Sequence, residues 1–499
     1  MEIKIVIEGS EPQKEYVLLN SEPITFVEVM KQLGISFYRP CGGIGKCLSC
    51  AVRFVYGAPE ITHDDERALD FSEMRNGWRL GCKSLITKDC KIQVPASLVS
   101  EIVSPEIQDI DNELPVDKTN IAIAVDIGTT TIAVAVVDLR TGKILRQVNA
   151  TNSQAKFGAD VMTRIKAAID GHSQELMDSV QSDLVQVGNK IIGENFQAHR
   201  IVFSANTTMT HLFLKYPVDG MATFPFVPYN TDSISFVTNY KDVFFMPAIS
   251  AFIGGDIVSG LYYIKKKKND EPFILADLGT NAELVLYDGE KYWCTSASAG
   301  PALEGANLSC GVASIRGAIN HVQITPDKVK FTTIGGEKTI GICGSGIIDL
   351  IFELFRNGII DDGGLLQDQY AETGYPVTEN ITITGEDIQQ VLLAKSAIYS
   401  AIILLIKEAK MDMDDVKHLY VSGGLGASIG VWSAAGINIF PKDLIQKFES
   451  VGNSSLLGDI AYIQEPDQET LTAIKENSQI VYMAGNPEFE ELFLENLRL

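Results

Sequence analysis

Positive charge is scarce in this chain: 41 Lys and Arg face 64 Asp and Glu over 499 residues, a formal net charge of -23. That balance argues against nucleic acid or anionic membrane as a partner, because a face for either needs clustered cations. The one basic run, Lys265 to Lys268, follows an apolar segment and precedes Asn269-Asp270, and reads as a solvated turn. Long hydrophobic runs are missing too. The longest, around Ala397 to Ile406, falls short of the ~20 residues a membrane span needs and is flanked by Lys395 and Lys407, so a buried helix is expected there. The opening MEIKIVIEGS has no basic region followed by an apolar one; no secretory leader is read, and a cytoplasmic location is the expectation. A disulfide framework is absent as well. Cys41, Cys47, Cys50, Cys82 and Cys90 crowd the first ninety residues, and in a reducing compartment such clustering points to metal ligation. Cys294, Cys310 and Cys343 are scattered and read as small buried hydrophobes.

What is present divides the chain. Its length and 45% hydrophobic content call for more than one domain. Residues 1–95 carry the alternating stretches EIKIVIEG and EYVLLN, a helix-like ITFVEVMKQLG, the loop YRPCGGIGKCLSC and a closing KIQVP, which predict a compact α+β unit. Residues 96–118 turn acidic, are punctuated by Pro105 and Pro115, and read as a linker. Residues 119–499 open on IAIAVDIGTTTIAVAVVDLRTGKIL, and FILADLGTNAELVLYDGEKYW later repeats its syntax of apolar strand, Asp-x-Gly-Thr, apolar strand, turn and strand. Helical patterns such as DVMTRIKAAID and AKSAIYSAIILLIKEAK lie between and after the copies. The expected architecture is two related α/β lobes made by duplication.

The repeated turns carry chemistry. A glycine in a tight strand-to-strand turn lets backbone N–H groups approach a phosphate, and a following threonine adds a hydroxyl. An aspartate at the strand end can hold Mg²⁺ through water. Asp126 with Gly128, Thr129 and Thr130, and Asp277 with Gly279, Thr280 and Asn281, are therefore candidates to clamp a polyphosphate from two lobes. A third cluster, LYVSGGLGASIG, follows an apolar strand, and Gly423, Gly424 and Gly426 allow a base or ribose to lie flat against the backbone.

The order of these three turns resembles the superfamily of acetate and sugar kinases, heat-shock chaperone ATPases and actin. That resemblance implies a ribonuclease H-like (actin-like) two-lobed ATPase fold, with ATP and Mg²⁺ as ligands. It makes AFIGGDIVSG the connecting segment and Asp256 the candidate for orienting or deprotonating the attacking water, with a helix cap as the competing reading of Asp256. GICGSGIIDL is expected near the nucleotide, or as a tight helix entry.

Cys41-x5-Cys47-x2-Cys50 followed by Cys82 after 31 residues is close to the plant-type ferredoxin spacing. A four-cysteine zinc site also uses C-x2-C, but usually as two close pairs, whereas here three cysteines cluster and one stands apart. One extra residue in the first spacer resembles the adrenodoxin branch, and Cys82 in GWRLGC resembles the closing ligand, with Cys90 spare. The resemblance implies a β-grasp ferredoxin-like domain holding a [2Fe-2S] cluster.

A ferredoxin module joined to such an ATPase, together with NTTMTHLF at Asn206 and SAGPALEGANLSCG at Ser298, resembles the reductive activators of corrinoid-dependent methyltransferases. The implied activity is ATP-dependent reduction of inactive Co(II) to Co(I) on a corrinoid protein, with electrons arriving from an upstream low-potential donor. Only 35 residues separate Cys90 from Asp126, so the additional middle domain of some relatives is expected to be missing. The chain has no Asp-x-His-x-x-Gly for binding cobalamin itself; His172, in DGHSQE, has Glu175 where glycine is required, and reads as a surface helix start. Superfamily relatives often dimerise, which makes a homodimer an expectation too. Two other classes stay open: a redox-linked kinase of a small acid or sugar, and a non-enzymatic redox-sensing interaction protein.

Overall fold

The Ile/Val alternation of the N-terminus becomes a strand, Glu2–Glu8, because period-two alternation places Ile3, Ile5 and Ile7 on one face. The computed structural model describes residues 1–8, 14–33, 35–37, 50–95, 99–101, 107–108, 120–192, 198–238, 241–268, 270–325, 328–426 and 428–499. They divide into two units, one of residues 1–199 and 208–230, the other of residues 200–207 and 231–499.

In the first unit, Glu2–Glu8 pairs antiparallel with Lys14–Leu19 and parallel with Cys90–Pro95. Ala51–Tyr56 joins the far side of Cys90–Pro95 and carries Trp78–Leu80 as the edge, completing a five-stranded mixed sheet. Phe26, Val29 and Met30 of the helix Phe26–Gln32 share a core with Ile3, Ile5, Val52, Phe54 and Ile92, so the helix lies on the sheet. Within the stretch read as a linker, Val99–Glu101 pairs with Ile35–Phe37 and Ile107–Gln108 pairs with Ile144–Thr151.

Both copies of the repeated syntax fold as antiparallel meanders. Ile121–Ile127, Thr131–Asp138 and Ile144–Thr151 form the first, in the first unit. Phe273–Leu278, Ala282–Tyr287 and Tyr292–Ala297 form the second, in the second unit. The second is extended by His418–Ser422, parallel to Phe273–Leu278, and then by Phe448–Gly452. The apolar run becomes part of a 24-residue helix, Gly385–Glu408, started by a capping box in which Thr384 and Asp387 satisfy each other's backbone N–H. Its most apolar window has a mean hydropathy of 1.6, yet 72% of that window is buried within the fold, as expected of a core helix. Lys395 on it is buried, donates to the carbonyl of Arg498, and is pushed down to about 8 by desolvation.

Two helices of the second unit, Gly255–Lys267 and Ser454–Gln464, cross through small residues. A Cβ on Gly458 would lie 1.9 Å from the carbonyl oxygen of Ser259, so the backbones touch. The buried carboxylate of Asp459 is satisfied at this crossing by the hydroxyls of Ser204 (2.7 Å) and Ser259 (3.0 Å). The crossing anchors the helix whose first turn contains Asp256. Its last turn contains Lys265, Lys266 and Lys267, so the basic run ends a helix, which corrects the expectation of a solvated turn. These cations suit the negative end of a helix dipole, and they pair with acids: Lys265 with Asp270, Lys266 with Asp467 at 2.7 Å, and Lys268 with Glu449. Replacing Gly458 by leucine should separate the two helices and cost about 1–3 kcal/mol. Urea unfolding checks this, with Leu457→Ala on the same helix as a milder control.

Candidate functional site

The first Asp-x-Gly-Thr turn joins Ile121–Ile127 to Thr131–Asp138, with Asp126 half-buried at the strand end. A Cβ on Gly128 would come within 2.8 Å of the carbonyl of Thr131, so the turn closes only on glycine. Three successive carbonyls are held from within. Asn152 donates through Nδ2 to Gly128 O at 2.9 Å and through its backbone to Thr130 O at 2.8 Å. Arg164 Nη2 donates to Thr129 O at 2.6 Å. Because a trans peptide sets N–H opposite C=O, the amides of Thr129 and Thr130 point the other way, the orientation an anion requires.

The second turn joins Phe273–Leu278 to Ala282–Tyr287 and belongs to the second unit. Here the pairing register aligns four polar residues on adjacent strands: Ser422 with Asp277, Asp277 with Glu283, and Glu283 with Ser296. Directly paired residues share a face, so two carboxylates stand side by side, an arrangement that destabilises a sheet unless a proton or cation is shared. Desolvation pushes Asp277 up to about 6. Glu283 is pushed well above the carboxylate range, first by desolvation and then by the charges of Asp256 and Asp277. The buried Ser422 hydroxyl lies close enough to favour ionised Asp277 in part, yet it makes no hydrogen bond of normal geometry among the described residues. Ser296 Oγ donates to Glu283 at 3.2 Å. Thr280 Oγ1 donates to Glu304 at 2.8 Å, and desolvation raises Glu304 as well.

The third glycine cluster meets this turn. Gly423 has φ +89°, and a Cβ there would lie 2.5 Å from Leu278 O and 2.9 Å from Asp277 Oδ1, whereas the space beside Gly424 is open. Gly426 packs under the strand, its missing Cβ 3.0 Å from Val421. Gly344 of GICGSGIIDL approaches both Leu303 and Leu425, which brings that segment to the same cluster. Asp256 is not the cap of its helix; Gly254 is, with no side-chain cap, and Asp256 sits in the first turn with Oδ1 accepting from Ile257 N at 2.8 Å. Its charge reaches Glu283, so the second unit gathers Asp256, Asp277, Glu283, Gly279 and Gly423. The motif-based reading missed Asn152, Arg164, Glu283 and Glu304. Only Glu283 had a signal, the cross-strand position implied by a three-residue turn after Asp277.

Of the cysteines, Cys41 and Cys47 lie outside the described residues. Cys50 is buried and Cys82 half-buried, and the N–H of Gly81 donates to Cys50 O at 2.8 Å, tying the backbone of one to the neighbour of the other. Burial pushes the Cys90 thiol up to about 11. Cys294 and Cys310 are likewise buried and raised, and Cys343 is buried at the entry to its helix. His172 is exposed and pairs with Glu175 at 3.5 Å, in keeping with a surface position.

Residues 271–499 match a family described as the C-terminal domain of RACo, the ASKHA domain, and residues 121–269 match the RACo middle region. The corrinoid activation enzyme RamQ of Eubacterium limosum is 30% identical over 419 residues, covering 76% of this chain and 70% of that protein. The Co(II) methylated amine-specific corrinoid protein reductase of Methanosarcina barkeri is 25% identical over 380 residues, covering 67% and 68%. The structure of a reductive activator for corrinoid,iron-sulfur protein superposes with a TM-score of 0.69 at 25% identity, covering 100% of this chain and 98% of that one. This fold and these turns define an ASKHA, actin-like ATPase domain. The chain belongs to the family of reductive activators of corrinoid proteins. The region described as the RACo middle region opens with the first Asp-x-Gly-Thr hairpin and so coincides with the stretch read as the first lobe of the ATPase.

The raised Asp277 has a sign that can be measured. Between 3.8 and about 6 the folded protein holds a proton that the unfolded chain has released, so stability falls as pH rises through that window. In nucleotide-free protein, Asp277→Asn should gain on wild type between pH 4 and pH 7 by roughly 1–3 kcal/mol. Urea unfolding at the two pH values checks it, and parallel pH dependence of the two proteins contradicts it.

Proposed function

We propose that this chain is an ATP-dependent reductive activator that returns the inactive Co(II) form of a corrinoid protein to Co(I). The observation that carries the reading is the whole-length likeness to a reductive activator, supported by two meanders that each present an Asp-x-Gly-Thr turn.

In this reading the amides and hydroxyls of Gly128, Thr129, Thr130, Gly279, Thr280 and Asn281 bind the phosphates of ATP. Gly423, Gly424 and Gly426 receive the adenosine. Asp126 and Asp277 hold Mg²⁺ through water, and the donor set of carboxylates and hydroxyls fits that ion. Asp256, in the first turn of its helix, orients the attacking water. Cys41, Cys47, Cys50 and Cys82 are the ligand set for a [2Fe-2S] cluster, and the tie between Gly81 and Cys50 supports the pairing of the last two. Such a cluster supplies a one-electron carrier near about -400 mV, which alone does not drive Co(II) to Co(I) comfortably. The chain therefore uses ATP to bias its own conformation toward the one in which the corrinoid protein accepts the electron. A low-potential donor upstream and a cytoplasmic location complete the proposal, and a homodimer rests on the superfamily resemblance alone.

The test is anaerobic: reduced protein, ATP and an oxidised corrinoid protein, with the cobalt absorbance followed. Co(I) should form with ATP and not without it. Phosphorylation of a metabolite with no change at cobalt would favour a kinase and overturn the reading. Separately, Cys82→Ser should abolish the visible absorption of reconstituted protein while Cys90→Ser retains it; the reverse result would move the fourth ligand.

A further inference from the structure

Arg164 is wholly buried, at 0% exposure. Four of its five donors are spent on neutral groups: Nη2 on Thr129 O at 2.6 Å, Nε on Gly158 O at 2.8 Å, and Nη1 on Gln154 Oε1 at 3.4 Å and Met209 Sδ at 3.3 Å. No described carboxylate lies within ion-pairing distance. The nearest influence, Asp160, is occupied as the helix cap, accepting from Thr163 N at 2.8 Å. Desolvation lowers the guanidinium only to about 10, so it stays charged at neutral pH. Arginine is almost never fully buried without a partner, because an uncompensated cation in a low-dielectric interior is costly. Yet this one is aimed at the central carbonyl of the first Asp-x-Gly-Thr turn, directly behind the amides that face outward.

We propose that Arg164 is the positioning residue of the first phosphate turn: it orients Thr129 and supplies a buried positive charge whose counter-charge arrives with the polyphosphate. The inference rests on the reading of that turn as an ATP-phosphate site. It also makes a statement about selectivity. A charge set behind the turn favours ligands by the number of phosphate charges placed before it, so Arg164 sets the preference for ATP and ADP over AMP and adenosine. A merely structural crosslink between helix Val161–Ala167 and the turn would weaken every nucleotide alike.

The full-length chain with Arg164→Gln is compared with wild type for affinity toward ATP, ADP, AMP and adenosine in Mg²⁺. A charge-assisted contact predicts a loss of about tenfold or more for ATP and ADP, with AMP and adenosine changed less than about twofold. Arg164→Lys should restore part of the loss. Should the glutamine variant fail to fold, the lysine variant decides alone: an ammonium cannot reach both Gly158 O and Thr129 O, so its ATP-to-AMP affinity ratio should fall about threefold or more. A uniform loss across all four ligands, or an unchanged ratio, overturns this proposal and leaves the ATP reading intact. A wild-type chain that binds no nucleotide overturns both.

Discussion

A backbone can present its amides to an anion only if the carbonyls of the same peptides are satisfied elsewhere. At the first turn that condition is met by two side chains, Asn152 and Arg164, which together hold Gly128, Thr129 and Thr130 from within. Much of the first meander serves this arrangement. The strand Ile144–Thr151 delivers Asn152, which is also the cap of the next short helix, and helix Val161–Ala167 delivers Arg164. The second turn solves the same problem differently. Its support is a glycine, Gly423, packed so closely on Leu278 and Asp277 that no side chain fits. The two copies thus share the hairpin and the aspartate, while the scaffolds behind them differ.

The difference extends to charge. Asp126 pairs across the hairpin with Ala133, a neutral neighbour, whereas Asp277 pairs with Glu283 and its charge reaches Glu304. One copy therefore sets a cation behind its turn and the other gathers acids before it. The first suits phosphate oxygens and the second suits a hydrated divalent cation or a water to be activated.

The sequence disclosed the elements that depend on local pattern. Both hairpins and the buried helix around Ala397 follow from alternation and apolar content, and the structure agrees on each. What escaped depends on partners distant in sequence. Arg164 drew no notice inside the helical pattern DVMTRIKAAID, because its burial is decided by Gly158, Gln154 and Met209. Lys265 to Lys268 looked like a turn because the acidic partners of Lys266 and Lys268, Asp467 and Glu449, lie about two hundred residues on. The competing reading of Asp256 as a cap fails because Gly254, which has no capping side chain, does that work through backbone geometry.

The proposed function joins two chemistries of different reach, one needing polyphosphate and the other needing thiolates. The central claim is that ATP at the turns governs delivery of an electron that leaves through the cysteines. The electron paramagnetic resonance signal of Co(II) tests it most directly, recorded after mixing a corrinoid protein with the reduced chain and ATP, for wild type and for Cys82→Ser. The account predicts that the Co(II) signal disappears with wild type, persists with Cys82→Ser, and that the variant still hydrolyses ATP. Loss of the Co(II) signal with Cys82→Ser at the wild-type rate would contradict it.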